Sequence, residues 1–211
     1  MTTAIYGAGG FAREVAWLVE ECGDDPVCFI DDDPESQGTD LNGLPILSLE
    51  EAHTKYPEAS VVGAIGTPAA REAVMDRAAA QGFRTETFVH PNVRTSRWVE
   101  MGDGAVICAG NILTTNIELG RHVQINLDCT VGHDVRMGDF VTLAPGVHVS
   151  GWVHFGNRVY VGTGAVIVNG TSDAPIEIAD DAIIGAGACV TRSVESGLTV
   201  VGVPAKPLQR R

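Results

Sequence analysis

The sequence predicts a small α/β domain followed by a parallel β-helix, and three observations carry that reading. Every sixth residue from Met101 is aliphatic or aromatic: Met101, Ile107, Leu113, Leu119, Ile125, Val131, Met137, Leu143, Val149, Phe155, Val161 and Ile167. A second apolar track runs four places later, from Ala105 through Ile117, Val123, Cys129, Val135 and Val141 to Ala165, broken by Asn111 and Thr171. Helices repeat near 3.6 residues and strands near 2, so a period of six describes short strands separated by turns and stacked as a β-helix. The third observation is upstream, where residues 1–88 alternate strand-like and helix-like segments, the pattern of a parallel sheet with covering helices.

In the first domain, assigned to residues 1–88, Ala4-Ile5-Tyr6 ends a short strand and Gly7-Ala8-Gly9-Gly10 follows it. Val15, Leu18, Val19 and Cys22 then recur at helical spacing until Gly23. A second strand, Val27–Ile30, runs into Asp31-Asp32-Asp33-Pro34, and residues 33–45 are polar and turn-rich. A third strand, Ser60–Ile65, passes through Gly66-Thr67-Pro68 into a helix over 69–80, and Phe83–Val89 forms a last strand. Ligands bind outside the carboxyl ends of such strands, where three loops meet: Gly7 to Gly10, Asp31 to Asp33, and Ile65 to Pro68. Gly7-x-Gly9-x-x-Ala12 matches the Rossmann dinucleotide fingerprint, whose glycines let backbone N–H groups approach a phosphate. Asp31 or Asp32 would accept from a sugar hydroxyl. A full dinucleotide fold has two mononucleotide halves and this segment holds one, which weighs against NAD. A nucleotide or nucleotide-sugar phosphate is the expected occupant, with a purely structural tight turn as the alternative.

The second domain, residues 89–211, carries the hexads. Glycine follows the first hexad place at Gly102, Gly120, Gly132, Gly138, Gly156 and Gly162. After Ile167 the register resumes at Ile178, eleven residues on instead of six, so five residues are inserted near Asn169–Pro175. The insertion must loop outward because the interior is filled; it is either a tolerated surface loop or a cover for a ligand. In the left-handed version of this architecture, which the family resemblance described below implies and the period alone does not fix, three hexads make a triangular coil, so residues eighteen apart stack. His133, in Val131-Gly132-His133-Asp134, occupies an outward place, with Thr115 one coil earlier and Gly151 one coil later. A histidine, a carboxylate and a bare glycine backbone together offer a general base, its partner and an N–H for an oxyanion; a hydrogen-bonded surface histidine is the bland alternative. His148 and His154 share one hexad place, but a zinc site needs three convergent ligands and a third imidazole is not evident, so no metal is assigned. The tail adds Lys206, Arg210 and Arg211.

Bulk properties exclude several classes. A net charge of −13 argues against a sequence-independent nucleic-acid binder. No apolar run reaches the roughly 18 residues that span a bilayer, so no membrane insertion is expected. Five cysteines without a CxxC point neither to a disulfide framework nor to zinc. Cytoplasm is the simplest location.

The hexads, the phrase Val131-Gly132-His133-Asp134-Val135 and the ending Gly202-Val203-Pro204-Ala205-Lys206 resemble the left-handed β-helix acyltransferases. The opening IYGAGGFAREV narrows the resemblance to a sugar O-acyltransferase family. That family includes sialic acid O-acetyltransferases and bacterial N-acetyltransferases of UDP- or GDP-linked amino sugars, and the resemblance spans essentially the whole chain. It implies a Rossmann-like domain before a left-handed parallel β-helix of hexapeptide repeats, with acetyl-CoA as co-substrate. It also implies that His133 is the general base, that Asp134 orients it, that Asn126 is an active-site asparagine and that the Gly151 N–H meets the thioester region. The cofactor would lie in the groove between two helices of a homotrimer, reaching the late coils and Gly202, Pro204 and Lys206. Thr142 stands where some members carry a second active-site histidine, and is placed with the cofactor residues. The nucleotide end of the sugar falls to Gly7, Gly9, Gly10, Arg13, Asp31, Asp32, Ile65 and Gly66. Where UDP-amino-sugar enzymes carry His and Lys after the glycine loop, this chain has Phe11 and Arg13. The expected activity is acetyl transfer to the amine or hydroxyl of a nucleotide-linked or free sugar by direct attack. The alternatives are a sialic acid O-acetyltransferase, an enzyme for another acceptor, or a non-catalytic nucleotide-binding relative.

Overall fold

The computed structural model describes residues 1–208, so Arg210 and Arg211 lie outside the described residues. Two compact units divide the chain, Met1–Pro91 and Asn92 onward.

The first unit contains β1 (Thr2–Tyr6), α1 (Gly10–Glu21), β2 (Asp25–Ile30), β3 (Asp40–Leu41), β4 (Leu44–Leu47), α2 (Leu49–Lys55), β5 (Ser60–Gly63), α3 (Pro68–Ala80), β6 (Arg84–Thr85) and β7 (Phe88–Val89). One sheet runs in the order β3-β4-β2-β1-β5-β6, and its neighbours are parallel except in the β3–β4 hairpin. Strand β1 is central and buried on both faces at Ala4, Ile5 and Tyr6, as expected where helices cover a parallel sheet. Helix α1 turns Ala12, Val15, Ala16, Leu18 and Val19 inward, an apolar stripe at helical spacing.

Four local features differ from expectation, each for a readable reason. The polar stretch after Asp33 contains a hairpin, turned by Asn42 (φ 48°) and Gly43 (φ 82°), the pair a two-residue turn favours. Helix α2 starts from a capping box in which Ser48 and Glu51 satisfy each other's backbone N–H. Strand β5 stops at Gly63: Ala64 N makes one more bond to Tyr6 O, and the Ile65 carbonyl is then taken by the buried Arg71 guanidinium at 2.7 Å. The expected last strand splits in two, and its first half pairs with β5 as the sheet edge.

The second unit is a parallel β-helix of two- and three-residue strands on three faces. Face I stacks 106–107, 124–125, 142–143, 160–161, 183–184 and 199–201; face II stacks 94–95, 112–113, 130–131, 148–149, 166–167 and 189–190; face III stacks 99–101, 117–119, 136–137, 153–155 and 176–178. Gln124 pairs with Thr142 and Thr142 with Tyr160, eighteen residues apart each time, whereas Tyr160 pairs with Ile183, twenty-three apart. The inserted five residues therefore leave the stacking intact. Both apolar tracks fill the interior: Ile107, Ile125 and Leu143 of the first and Val123, Val135 and Val141 of the second are fully buried. Asn111 breaks the apolar pattern yet is fully buried. Its amide donates to the Cys108 carbonyl (2.7 Å) and accepts from Cys129 N (2.8 Å), so no polar group is left bare.

Turn chemistry follows hexad place. The glycines at the second place are required by contact, since a Cβ on Gly120 would lie 2.6 Å from the Gly138 carbonyl carbon of the next coil. The fourth place is left-handed at corner after corner, including Asn116, Asp128, Asp134, Phe140, Trp152 and Arg158.

Candidate active site

Tyr6 pairs with both Ile30 and Gly63, so the chain leaves β1, β2 and β5 at the same level and the three expected loops share one sheet edge. Gly7 is irreplaceable by geometry: its φ is 125°, and a Cβ would meet the Ala64 carbonyl oxygen at 3.0 Å. Gly9 is the N-cap of α1, no side chain caps the helix there, and the space a Cβ on Gly9 would enter is open. Arg13 is exposed on α1, its guanidinium 3.8 Å from where a Gly10 Cβ would stand. The two candidate carboxylates are unequal. Asp31 accepts from its own turn, from Asp33 N at 2.9 Å. Asp32 is clamped by the Tyr6 hydroxyl (3.0 Å) and the Arg77 guanidinium. Burial, and then the Asp32 contact, pushes the Tyr6 phenol up to about 12. Ile65 is held through its carbonyl by Arg71, and Gly66 has free space beside its Cα.

In the β-helix, His133 and Asp134 sit on the corner between faces II and III. Asp134 takes the left-handed conformation (φ 57°), and its Oδ2 lies 2.7 Å from His133 Nδ1. Asn116, one coil earlier, donates to the other carboxylate oxygen at 3.2 Å. Asp134 thus accepts on both oxygens, which orients the imidazole and directs Nε2 away from the carboxylate. The ring rests on Gly151: a Cβ there would lie 2.5 Å from both Cε1 and Nε2. Trp152 N donates to the His133 carbonyl (3.1 Å), and the Trp152 indole stands edge-on to the imidazole at 6.4 Å. The side chain of His133 is 55% exposed and that of Asp134 25%, so the imidazole meets solvent while its carboxylate partner is more shielded.

The remaining expected residues lie elsewhere within one chain. Asn126 is on the corner between faces I and II, its amide oxygen taken by Leu127 N at 2.7 Å. Thr142 is nearly buried on face I, between Gln124 and Tyr160. Gly202 (φ 91°), Pro204 and Lys206 are exposed at the end of the helix, where Gly202 O accepts from Cys189 N. His148 points out of face II to Thr130 Oγ1 (2.8 Å) and His154 out of face III to Glu177 (3.1 Å), so the two do not converge. Cys129 is buried in the interior, and desolvation pushes its thiol up to about 11, which makes it a poor nucleophile.

Two features escaped the sequence reading. Asn116 was legible by subtracting eighteen from Asp134. A cavity of about 530 Å³ on face III, lined by residues that include Trp98, Asn116, Glu118, Asp134, Arg136, Trp152 and Ser172, had no local motif to announce it.

The chain is similar to known proteins in sequence and in fold. Residues 3–78 match the family described as the PglD N-terminal domain. The chain is 35% identical to GDP-perosamine N-acetyltransferase from Escherichia coli over 98% of its own length and 96% of the relative's. WeeI from Acinetobacter baumannii AYE superposes with a TM-score of 0.91 at 37% identity, covering 99% of this chain and 100% of that one. A point mutant of perosamine N-acetyltransferase from Caulobacter crescentus, in complex with CoA and GDP-perosamine, gives 0.91 at 28% identity, with 100% and 98% covered. A Rossmann-like domain before a left-handed β-helix, matched over nearly full length by such relatives, means that the chain belongs to the hexapeptide-repeat sugar acetyltransferases, which draw the acetyl group from acetyl-CoA.

Proposed function

We propose that this enzyme acetylates the amine of a nucleotide-linked amino sugar in surface-glycan synthesis, with GDP-perosamine the first acceptor to try. The relatives named for that substrate, and the departure of Phe11 and Arg13 from the UDP pattern, support a GDP-linked sugar. The observation that carries the catalytic reading is the His133–Asp134 pair at 2.7 Å with the imidazole lying on a bare Gly151. Nε2 of His133 takes the proton as the amine nitrogen attacks the thioester carbonyl. The C–N bond forms, the C–S bond breaks and CoA leaves as thiolate. The Gly151 N–H is our choice of oxyanion donor. Transfer is direct, because the cysteine nearest in sequence, Cys129, is sealed in the interior. In the first domain, Gly7, Gly9, Gly10, Arg13, Asp31, Asp32, Ile65 and Gly66 are assigned to the nucleotide end of the acceptor.

We also assign a cytoplasmic homotrimer. Asn126 and His133 stand on the two corners that flank face II, and that face exposes Ile112 (41%) and Val166 (39%). Three copies closed about face II would set the Asn126 corner of one against the His133 corner of the next, with acetyl-CoA in the groove between them and Thr142, Gly202, Pro204 and Lys206 along it. Release of CoA, followed with a thiol reagent against GDP-, UDP- and dTDP-amino sugars and free sialic acid, tests the activity. His133→Ala should lower turnover roughly 10²-fold or more, the usual scale for a general base, while the assembly persists. Unchanged turnover removes His133 from the mechanism.

A further inference from the structure

We propose that Arg71 of helix α3 is a positioning residue for the nucleotide crevice, holding the loop after β5 and, through Ile65, the glycine turn after β1. The role rests on the assignment of that sheet edge to the nucleotide end of the acceptor.

Arg71 stands where the fold calls for an apolar side chain. Helix α3 turns Pro68, Arg71, Val74, Met75 and Ala78 inward, a stripe at helical spacing in which arginine is the one charge. Its side chain is the largest fully buried one among the described residues. Strand β5 makes room for it with a glycine: a Cβ on Gly63 would lie 3.2 Å from Arg71 Cγ and 3.0 Å from Met75 Sδ. Burying a charge is costly to folding, and an apolar residue at this place in the stripe would not carry that cost. Desolvation lowers the guanidinium pKa to about 9, which still leaves the group charged at neutral pH.

The work of that charge lies at the end of β5. The last ladder bond there runs from Ala64 N to Tyr6 O at 2.8 Å. The next carbonyl, of Ile65, accepts from Arg71 Nη1 at 2.7 Å, the short length of a charge-assisted bond. A peptide unit is planar, so holding this oxygen fixes the Ile65–Gly66 peptide as the chain turns toward α3. Ile65 in turn backs the glycine turn. A Cβ on Gly7 would lie 3.3 Å from Ile65 Cγ1 and 3.0 Å from the Ala64 oxygen. Two of the three loops on this edge are therefore set through one carbonyl. Arg77, on the same helix, ties the third through Asp32. With no exposed surface of its own, Arg71 acts on a bound nucleotide through Ile65.

The test uses the full-length enzyme, with GDP, UDP and dTDP as probes in isothermal titration and the acceptor turned over in the panel for kinetics. For the nucleotide that the wild-type enzyme binds, Arg71→Met should weaken binding about tenfold, the scale of one hydrogen bond to a charged group. KM for the nucleotide sugar should rise by a similar factor, while kcat and KM for acetyl-CoA stay within about twofold. The thermal midpoint should move little, since an apolar side chain in place of a buried charge is often tolerated. Arg71→Lys keeps the charge on a single-point head and should fall between Arg71→Met and wild type. Nucleotide affinity unchanged in Arg71→Met, or a lowered midpoint with both KM values raised alike, assigns Arg71 to packing alone and overturns the proposal. Should Arg71→Met not fold, Arg71→Lys decides: binding weakened at least about threefold with a normal KM for acetyl-CoA supports the role, and wild-type affinity overturns it. A wild-type enzyme that binds none of the three nucleotides sinks the nucleotide reading together with this role, whereas wild-type binding that Arg71→Met leaves intact sinks the role alone.

Discussion

At the scale of single residues, the absence of a side chain at Gly151 constrains the site more than any polar contact. The His133 ring is tied to Asp134 at one nitrogen and lies where a Gly151 Cβ would be, 2.5 Å from Nε2 and 2.9 Å from Nδ1. Gly151→Ala must therefore tilt the ring off its seat, and a displacement of about 1 Å in a reacting group costs on the order of 10²-fold in rate. We expect Gly151→Ala to lower kcat by about that factor with little change in thermal midpoint, because the half-exposed imidazole can swing into solvent. Steady-state kinetics beside a melting curve separate the two effects; a normal kcat would mean that the ring's place over Gly151 is not its working position. His133, Asp134 and Gly151 were legible in the sequence because stacking every eighteen residues is arithmetic. Asn116 obeys the same arithmetic, eighteen residues before Asp134, but an asparagine on a polar corner carries no signal of its own until the carboxylate it meets is stacked against it. The clamp of Tyr6 and Arg77 on Asp32 was not legible, since it joins β1, the loop after β2 and α3 through side chains with no common motif.

At the scale of elements, the hexad place decides what each glycine is for. Gly120, at the second place, stands against the Gly138 backbone, which cannot rotate away as a flexible side chain could. Gly146, at the fourth place, has φ 68° and nothing within 4 Å. Neighbouring corners carry Phe140 and Trp152 in that same conformation, so the fourth place accepts a side chain at modest strain. Gly120→Ala should cost about 1–3 kcal/mol as overpacking, which in a chain of this size lowers the melting midpoint by roughly 2–4 °C per kcal/mol. Gly146→Ala should cost less, since left-handed strain of roughly 1–2 kcal/mol is partly offset by the lower entropy of the unfolded chain. Melting curves of the two variants check the order, and an equal or reversed order would refute the close-approach account. The tracks that fill the helix were plain from periodicity alone. The reason for the glycine corners was not, because a sequence shows where small residues recur and not whether a turn or a neighbouring backbone demands them. In the first unit the hairpin at Asn42-Gly43 and the Ser48–Glu51 capping box carried readable signals, hidden among polar residues that looked like loop.

At the scale of the whole molecule, the triangular coil sets two of the expected site residues on different corners. Asn126 and His133 are seven residues apart in sequence, yet face II separates their corners. A rigid stack of short strands cannot bring those corners together, so if both residues serve one site, two copies must build it. Rotational symmetry makes each such junction heterologous, with one copy giving His133 and the next giving Asn126. This has a consequence that a monomeric site lacks. His133→Ala and Asn126→Ala, each impaired alone, should partly restore each other when coexpressed and assembled as mixed trimers. For random assembly from equal amounts, a junction is intact when one neighbour keeps His133 and the other keeps Asn126, so about a quarter of wild-type activity is the ceiling. Mixing the two purified variants without dissociation should restore nothing, which separates shared sites from simple addition of residual activities. If coexpression gives only the average of the two variants, Asn126 acts within its own copy or not at all.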